Sequence, residues 1–171
     1  MRKALLASVV VLVAAGASGC AALEGLRTLI QPPRFSEADG QPAEIRLLGP
    51  GQGAGPLGGA AIRLYTRVRN PNPFGLTLRT LSGSLFLEGG RAADADFPLG
   101  LPLAAGGDAV IPLDLRVSFA DIPGLADAIR RAVSGQALGY RLDGTVGVEA
   151  GQLGTPTFGP MTLLTGELRT R

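Results

Sequence analysis

Histidine and tryptophan are absent from the 171 residues, cysteine occurs once, and Lys3 is the sole lysine. Without histidine there is no imidazole base, no Ser-His or Cys-His nucleophile pair, and no His-ligated zinc or haem. A single cysteine permits neither an intrachain disulfide nor a thiolate-clustered metal site. Aromatic residues make up 5% of the chain and charged residues 18%. Against these shortages stand 26 Gly, 13 Pro and a hydrophobic content of 46%. That composition is too apolar for a disordered chain and too often interrupted for a coiled coil. The length suits one domain with a substantial core.

The N-terminus carries the clearest signal. Arg2 and Lys3 precede an apolar run from Ala4 to Ala17, about 14 residues long. A bilayer-spanning helix needs ~20. A positive start, a short apolar stretch and then small residues define an export signal. Its end, Ala17-Ser18-Gly19-Cys20, resembles the bacterial lipobox, with Ala17 where Leu is commoner. The resemblance implies cleavage before Cys20 and acyl chains on that residue. More than one chain is what stable anchoring requires. Ala21, where an Asp would favour retention at the inner membrane, implies the periplasmic face of the outer membrane. The alternative is an ordinary cleavage after Ala15-Gly16-Ala17, leaving Cys20 a free thiol in an oxidising compartment. The division expected is therefore a signal peptide over 1–19, a lipidated tether over 20–40, and one domain over 41–171. Loss of the two basic leader residues leaves fourteen Arg against 14 Asp+Glu. A balanced total offers no general attraction to nucleic acid.

Within the tether, Leu23, Leu26, Leu29 and Ile30 are spaced for a turn or two of helix, and Pro32-Pro33 then imposes extended chain, either free or partly docked on the domain. Beyond Gln41 the apolar period is two. Ile62, Leu64, Thr66 and Val68 alternate with Arg63, Tyr65, Arg67 and Arg69, a half-buried strand with a basic outer face. Similar alternation marks Glu44–Leu48, Leu76–Leu87, Ala92–Phe97, Asp108–Phe119, Tyr140–Glu149 and Met161–Leu168. Gly89-Gly90 reads as a hairpin turn and Ser82-Gly83-Ser84 as a bulge or bend. Pro112 puts its strand at a sheet edge, or stands where no ladder donor is needed. Only residues 121–134 have helical spacing, with Asp121 as N-cap, Leu125, Ile129 and Ala132/Val133 on one face, and Gly135 as the stop. About seven strands, one short helix and no βαβ alternation predict an all-β antiparallel sandwich.

The most distinctive string is Asn70-Pro71-Asn72-Pro73-Phe74. Each Asn precedes a proline and is pushed to extended or turn geometry. The side-chain amides can bond nearby backbone, and the prolines remove ladder donors. This describes an ordered strand break with Phe74 and Leu76 re-entering the core. Together with Leu87-Glu88-Gly89, the strand at Val110–Val117, the helix after it and Tyr140-Arg141-Leu142-Asp143-Gly144-Thr145-Val146, the string resembles the late embryogenesis abundant type 2 family and its WHy (water stress and hypersensitive response) domain. The similarity spans roughly residues 41–170. It implies a fibronectin-III-like sandwich without catalytic residues or cofactor, associated with desiccation and other stress. The Gly-rich stretch Gly49–Gly59 is a departure from that pattern.

The remaining polar clusters read as ordinary surface. Asp94, Asp96 and Asp108 fall short of the six or so oxygens of a calcium site. Ser82 and Ser84 have no base. Glu88, Glu149 and Glu167 share no motif that would bring them together for glycoside chemistry. Tyr65 among Arg63, Arg67 and Arg69 reads first as a solvated face with the ring covering Arg stems. The expectation is a non-enzymatic envelope protein anchored to the membrane through Cys20, with envelope proteins as clients. The alternatives are an assembly adaptor that pairs through an edge strand, and an apolar-ligand or lipid-binding module.

Overall fold

The computed structural model describes residues 30–120 and 124–168. The leader, Cys20, the first half of the tether and Asp121 lie outside those residues.

Eight strands form two antiparallel sheets, so the expected sandwich holds, with one strand more than the periodicity predicts. In the first sheet, β3 (Gly59–Arg69) is central. On one side it pairs along its whole length with β6 (Asp108–Ser118), Leu64 standing opposite Leu113. On the other side two short strands share its edge. β2 (Glu44–Leu48) pairs with its first half, and β1 (Arg34–Glu37) with its second, Phe35 opposite Val68. The second sheet has the order β5-β4-β7-β8, with β4 at Leu76–Leu87, β5 at Gly90–Leu103, β7 at Leu138–Glu149 and β8 at Thr157–Leu168. Pro112 does sit on an edge strand, and so do Pro98, Pro102 and Pro160, where a missing N–H breaks no interior ladder.

Period-two patterning puts the apolar side chains of both sheets inside. Ile62, Leu64, Val68, Leu113 and Val117 of one sheet meet Leu78, Leu81, Leu85, Leu142 and Val146 of the other, all fully buried. Burial of each such side chain contributes about 1.5–3 kcal/mol.

Three expectations are corrected. The domain does not begin at residue 41: Ile30 is buried and β1 occupies the second half of the segment read as tether. Four residues between a proline pair and a polar loop are too few for periodicity to register. Ser82-Gly83-Ser84 is not a bulge. Register is continuous there, and the irregularities lie between Leu78 and Thr80 and between Leu85 and Phe86. Gly83 instead stands opposite Gly144, where a Cβ would come 2.3 Å from the Ser82 carbonyl oxygen. The glycines allow close strand approach. Lastly, the helix α1 spans Leu125–Val133, not 121–134, because Gly124 has φ 85 and lies outside helical space. The side chains of Leu125 and Val133 lie outside the described residues; Ala128, Ile129 and Ala132 form the buried face. The helix stops as expected, Gly135 N–H donating to Ala132 and Gln136 N–H to the Arg131 carbonyl.

Candidate functional site

β3 and β4 are joined by the Asn-Pro-Asn-Pro string, and its two amides are the most deeply buried polar side chains of the site. Asn70 is 0% exposed and Asn72 1%. Buried amides must be bonded or they cost stability, and here every donor and acceptor is used. Asn70 Nδ2 donates to the carbonyls of Phe74 at 2.8 Å and Ala104 at 2.9 Å. Its Oδ1 accepts from the Asn72 backbone N–H and from Asn72 Nδ2, both at 3.0 Å. The first is an Asx turn, pre-set by the intervening proline. Asn72 then makes a two-way pair with the backbone of Gln31: Gln31 N–H donates to Oδ1 at 2.8 Å, and Nδ2 donates to the Gln31 carbonyl at 2.9 Å. The side-chain amide imitates a neighbouring strand.

Three remote segments thus meet at one end of the sandwich: the entering chain at Gln31, the β3–β4 break, and the β5–β6 turn. Backbone bonds complete the clamp, Asn70 N–H to Gly107 at 2.9 Å and Gly106 N–H to Asn72 at 3.1 Å. Pro71 is half-buried, Pro73 exposed and Phe74 only half-buried, so Leu76 rather than Phe74 returns to the core. Neither amide titrates, so the pair can hold and orient chain but cannot exchange protons in catalysis. Cys20 lies outside the described residues.

A second polar contact closes the sheets laterally. Buried Tyr140 of β7 donates its O–H to Glu37 Oε1 of β1 at 2.5 Å. Gly166 makes room, since a Cβ there would fall 1.9 Å from that oxygen. Burial first, and then the carboxylate acceptor, push the Tyr140 hydroxyl well above the ordinary tyrosine range. The sequence offered one hint: Tyr140 falls on the inward register of its strand, and a buried phenol needs a partner.

Charges on the outer faces are largely paired. Arg63 grips Asp114 with bonds of 2.6 and 3.1 Å, and Arg67 reaches Asp108 at 2.8 Å and Asp39 at 3.2 Å. The Arg63 hydrogen bond holds the Asp114 carboxyl below the usual range. The Arg/Tyr stripe is therefore a solvated, ion-paired face over most of its length. Asp94 accepts from Ser84 and Arg91 while Asp108 serves Arg67 on the other sheet, so the three aspartates do not converge. Glu149 pairs with Arg79 at one end of β7, while Glu88 accepts from Gly139 N–H at the other, where Glu167 stands opposite Gly139, so the three glutamates do not converge.

A two-sheet antiparallel sandwich, pinned at one end by a buried asparagine pair, defines a structural β-module of the fibronectin-like kind. A family model described as late embryogenesis abundant protein matches residues 65–162, and the chain belongs to that family. The fold is similar to that of AT1g01470 from Arabidopsis thaliana in its solution structure, with TM-score 0.56 and 17% identity over 83% of this chain and 85% of that one. It is also similar to the solution structure of At2g46140.1, a late embryogenesis abundant protein, with TM-score 0.50 and 18% identity over 92% of this chain and 88% of that one. No curated protein matches the chain in sequence.

Proposed function

We propose that the chain is a non-catalytic, stress-protective module held at the cell envelope by lipid on Cys20, facing the periplasm from the outer membrane. The observation that carries this reading is the Asn72–Gln31 pair. It fixes the chain eleven residues after Cys20, so a fully extended tether reaches at most about 35–40 Å. The clamped end of the sandwich faces the bilayer, and both ion-paired sheets stay free beside it. Membership of the late embryogenesis abundant family supports a role during water loss. In that role the hydrated faces separate neighbouring envelope proteins as solvent is withdrawn.

Labelling cells with a palmitate analogue tests the anchor. Label should enter the full chain and be lost in Cys20→Ala; an unlabelled wild type of unchanged leader length would refute it. Protection is tested by drying a labile enzyme with the full chain or with an equal mass of albumin. Greater residual activity with the chain is expected, and equal losses would count against the role.

The adaptor reading keeps one observation in its favour: β6 pairs only with β3 among the described strands and carries Val110 at 42% exposure. In-cell crosslinking from β6 should recover a partner if that edge is used; recovery of the monomer alone would remove it.

A further inference from the structure

The outer face of the β2-β3-β6 sheet holds an unspent pair of arginines. Arg46 of β2 and Arg116 of β6 stand opposite the same residue of β3, Ala61. Two strand spacings put their Cα atoms about 9–10 Å apart, with only a methyl group between them. Both side chains are exposed, and neither has an acidic partner among the described residues. They border a cleft of about 570 Å³ floored by Ala61. The acids on this cleft are turned the other way. Asp114 is committed to Arg63, and Glu44 lies 3.5 Å from the Tyr65 hydroxyl. The negative charge is drawn to one end of the cleft and the positive charge is left at the other.

The Gly-rich loop that departs from the family pattern shapes this positive end. Gly53 has φ +80, and a Cβ there would sit 2.8 Å from Arg116 Nη1. The loop backbone therefore lies against the guanidinium and limits where it can point. Guanidinium groups are forked donors that match tetrahedral oxyanions, and two of them facing across a gap suit a doubly charged one.

We propose that Arg46 and Arg116, across Ala61, bind a phosphate monoester, the group shared by small phosphorylated metabolites and by the headgroup of phosphatidic acid. This site is independent of the asparagine clamp and of the anchor.

The test uses the full chain in a detergent without phosphate, at constant ionic strength. Inorganic phosphate and glycerol 3-phosphate are titrated while the amide resonances of Gly53, Ala61 and Arg116 are followed. In a second arm the same resonances are followed with the anchored chain in phosphatidylcholine bicelles, with or without phosphatidic acid, so that the anchor is present in both samples. Saturable shifts are expected, weakened at least about tenfold in Arg46→Gln and in Arg116→Gln, the loss of one charged hydrogen bond. Arg131→Gln on the helix should bind as the wild type does. Ala61→Leu keeps both charges but fills the floor, and should weaken binding as well. Saturation by soluble phosphate identifies a free ligand; shifts produced by phosphatidic acid alone, lost in both arginine variants, identify a headgroup. No saturable shift with soluble phosphate and no arginine-dependent shift with phosphatidic acid would overturn the proposal, as would equal weakening by Arg131→Gln, which would reduce the effect to general charge.

Discussion

The two ends of the sandwich are closed by different chemistry. At one end, two buried amides make six hydrogen bonds of 2.8–3.0 Å that tie together the entering chain, the β3–β4 break and the β5–β6 turn. At the other, α1 lays Ala128, Ile129 and Ala132 over the core. Directional bonds between buried polar groups allow one arrangement and penalise all others. Apolar contact tolerates adjustment and loses energy in proportion to the volume removed. The asparagine end should therefore fail abruptly when altered, and the helix end gradually.

The sharpest way to break the comparison is Asn70→Ala, which strands the carbonyls of Phe74 and Ala104 and two donors of Asn72. Urea unfolding of the full chain in detergent should show a loss of about 3–5 kcal/mol. A loss below about 1 kcal/mol would mean that water replaces the network freely. Ile129→Ala probes the other end, with an expected loss of about 2–4 kcal/mol. Its signature is location: amide exchange should rise over α1 while the β3–β4 break keeps its protection.

How much of this asymmetry was legible beforehand follows from the same physics. Strands such as β3 and β6 announce themselves because the long alternations at Ile62–Arg69 and Asp108–Phe119 fit a half-buried strand and not a helix. The helix is legible from the spacing of Leu125, Ile129 and Ala132/Val133 and from its stop at Gly135, while its start falls later than the good cap residue Asp121 suggests, because Gly124 lies outside helical space. The asparagines were visible as a strand break. Their partner Gln31 was not, because the bond spans 41 positions and ends on backbone atoms, which carry no residue identity. β1 was hidden for the same reason, its pairing with β3 being set by tertiary contact. Arg46 and Arg116 were ordinary exposed arginines until the register brought both to Ala61.

Smaller effects refine the picture between the two ends. Tyr140→Phe removes the hydroxyl that joins β7 to β1 and should cost about 1 kcal/mol. It also carries a pH test. The raised Tyr140 value means that the folded state keeps its proton when the unfolded chain, with its ordinary value of 10.0, begins to lose it. Its contribution is full below that pH and declines as pH rises further. An alkaline loss of stability measured above that pH should be shallower in Tyr140→Phe; identical slopes would show that the bond to Glu37 does not persist in solution. Smallest of all, Arg63→Gln opens a half-exposed ion pair with Asp114 and should leave the urea midpoint almost unchanged.

Hydrogen exchange at the single amide of Gln31 interrogates the clamp itself. Should Asn72 truly grip the incoming chain, that proton will exchange slowly in the wild type. It will then exchange at least about tenfold faster in Asn72→Ala, while the central β4 amides change far less. A Gln31 amide that exchanges at the free-peptide rate in the unaltered protein would contradict the clamp and, with it, the fixed tether on which the proposed orientation at the membrane depends.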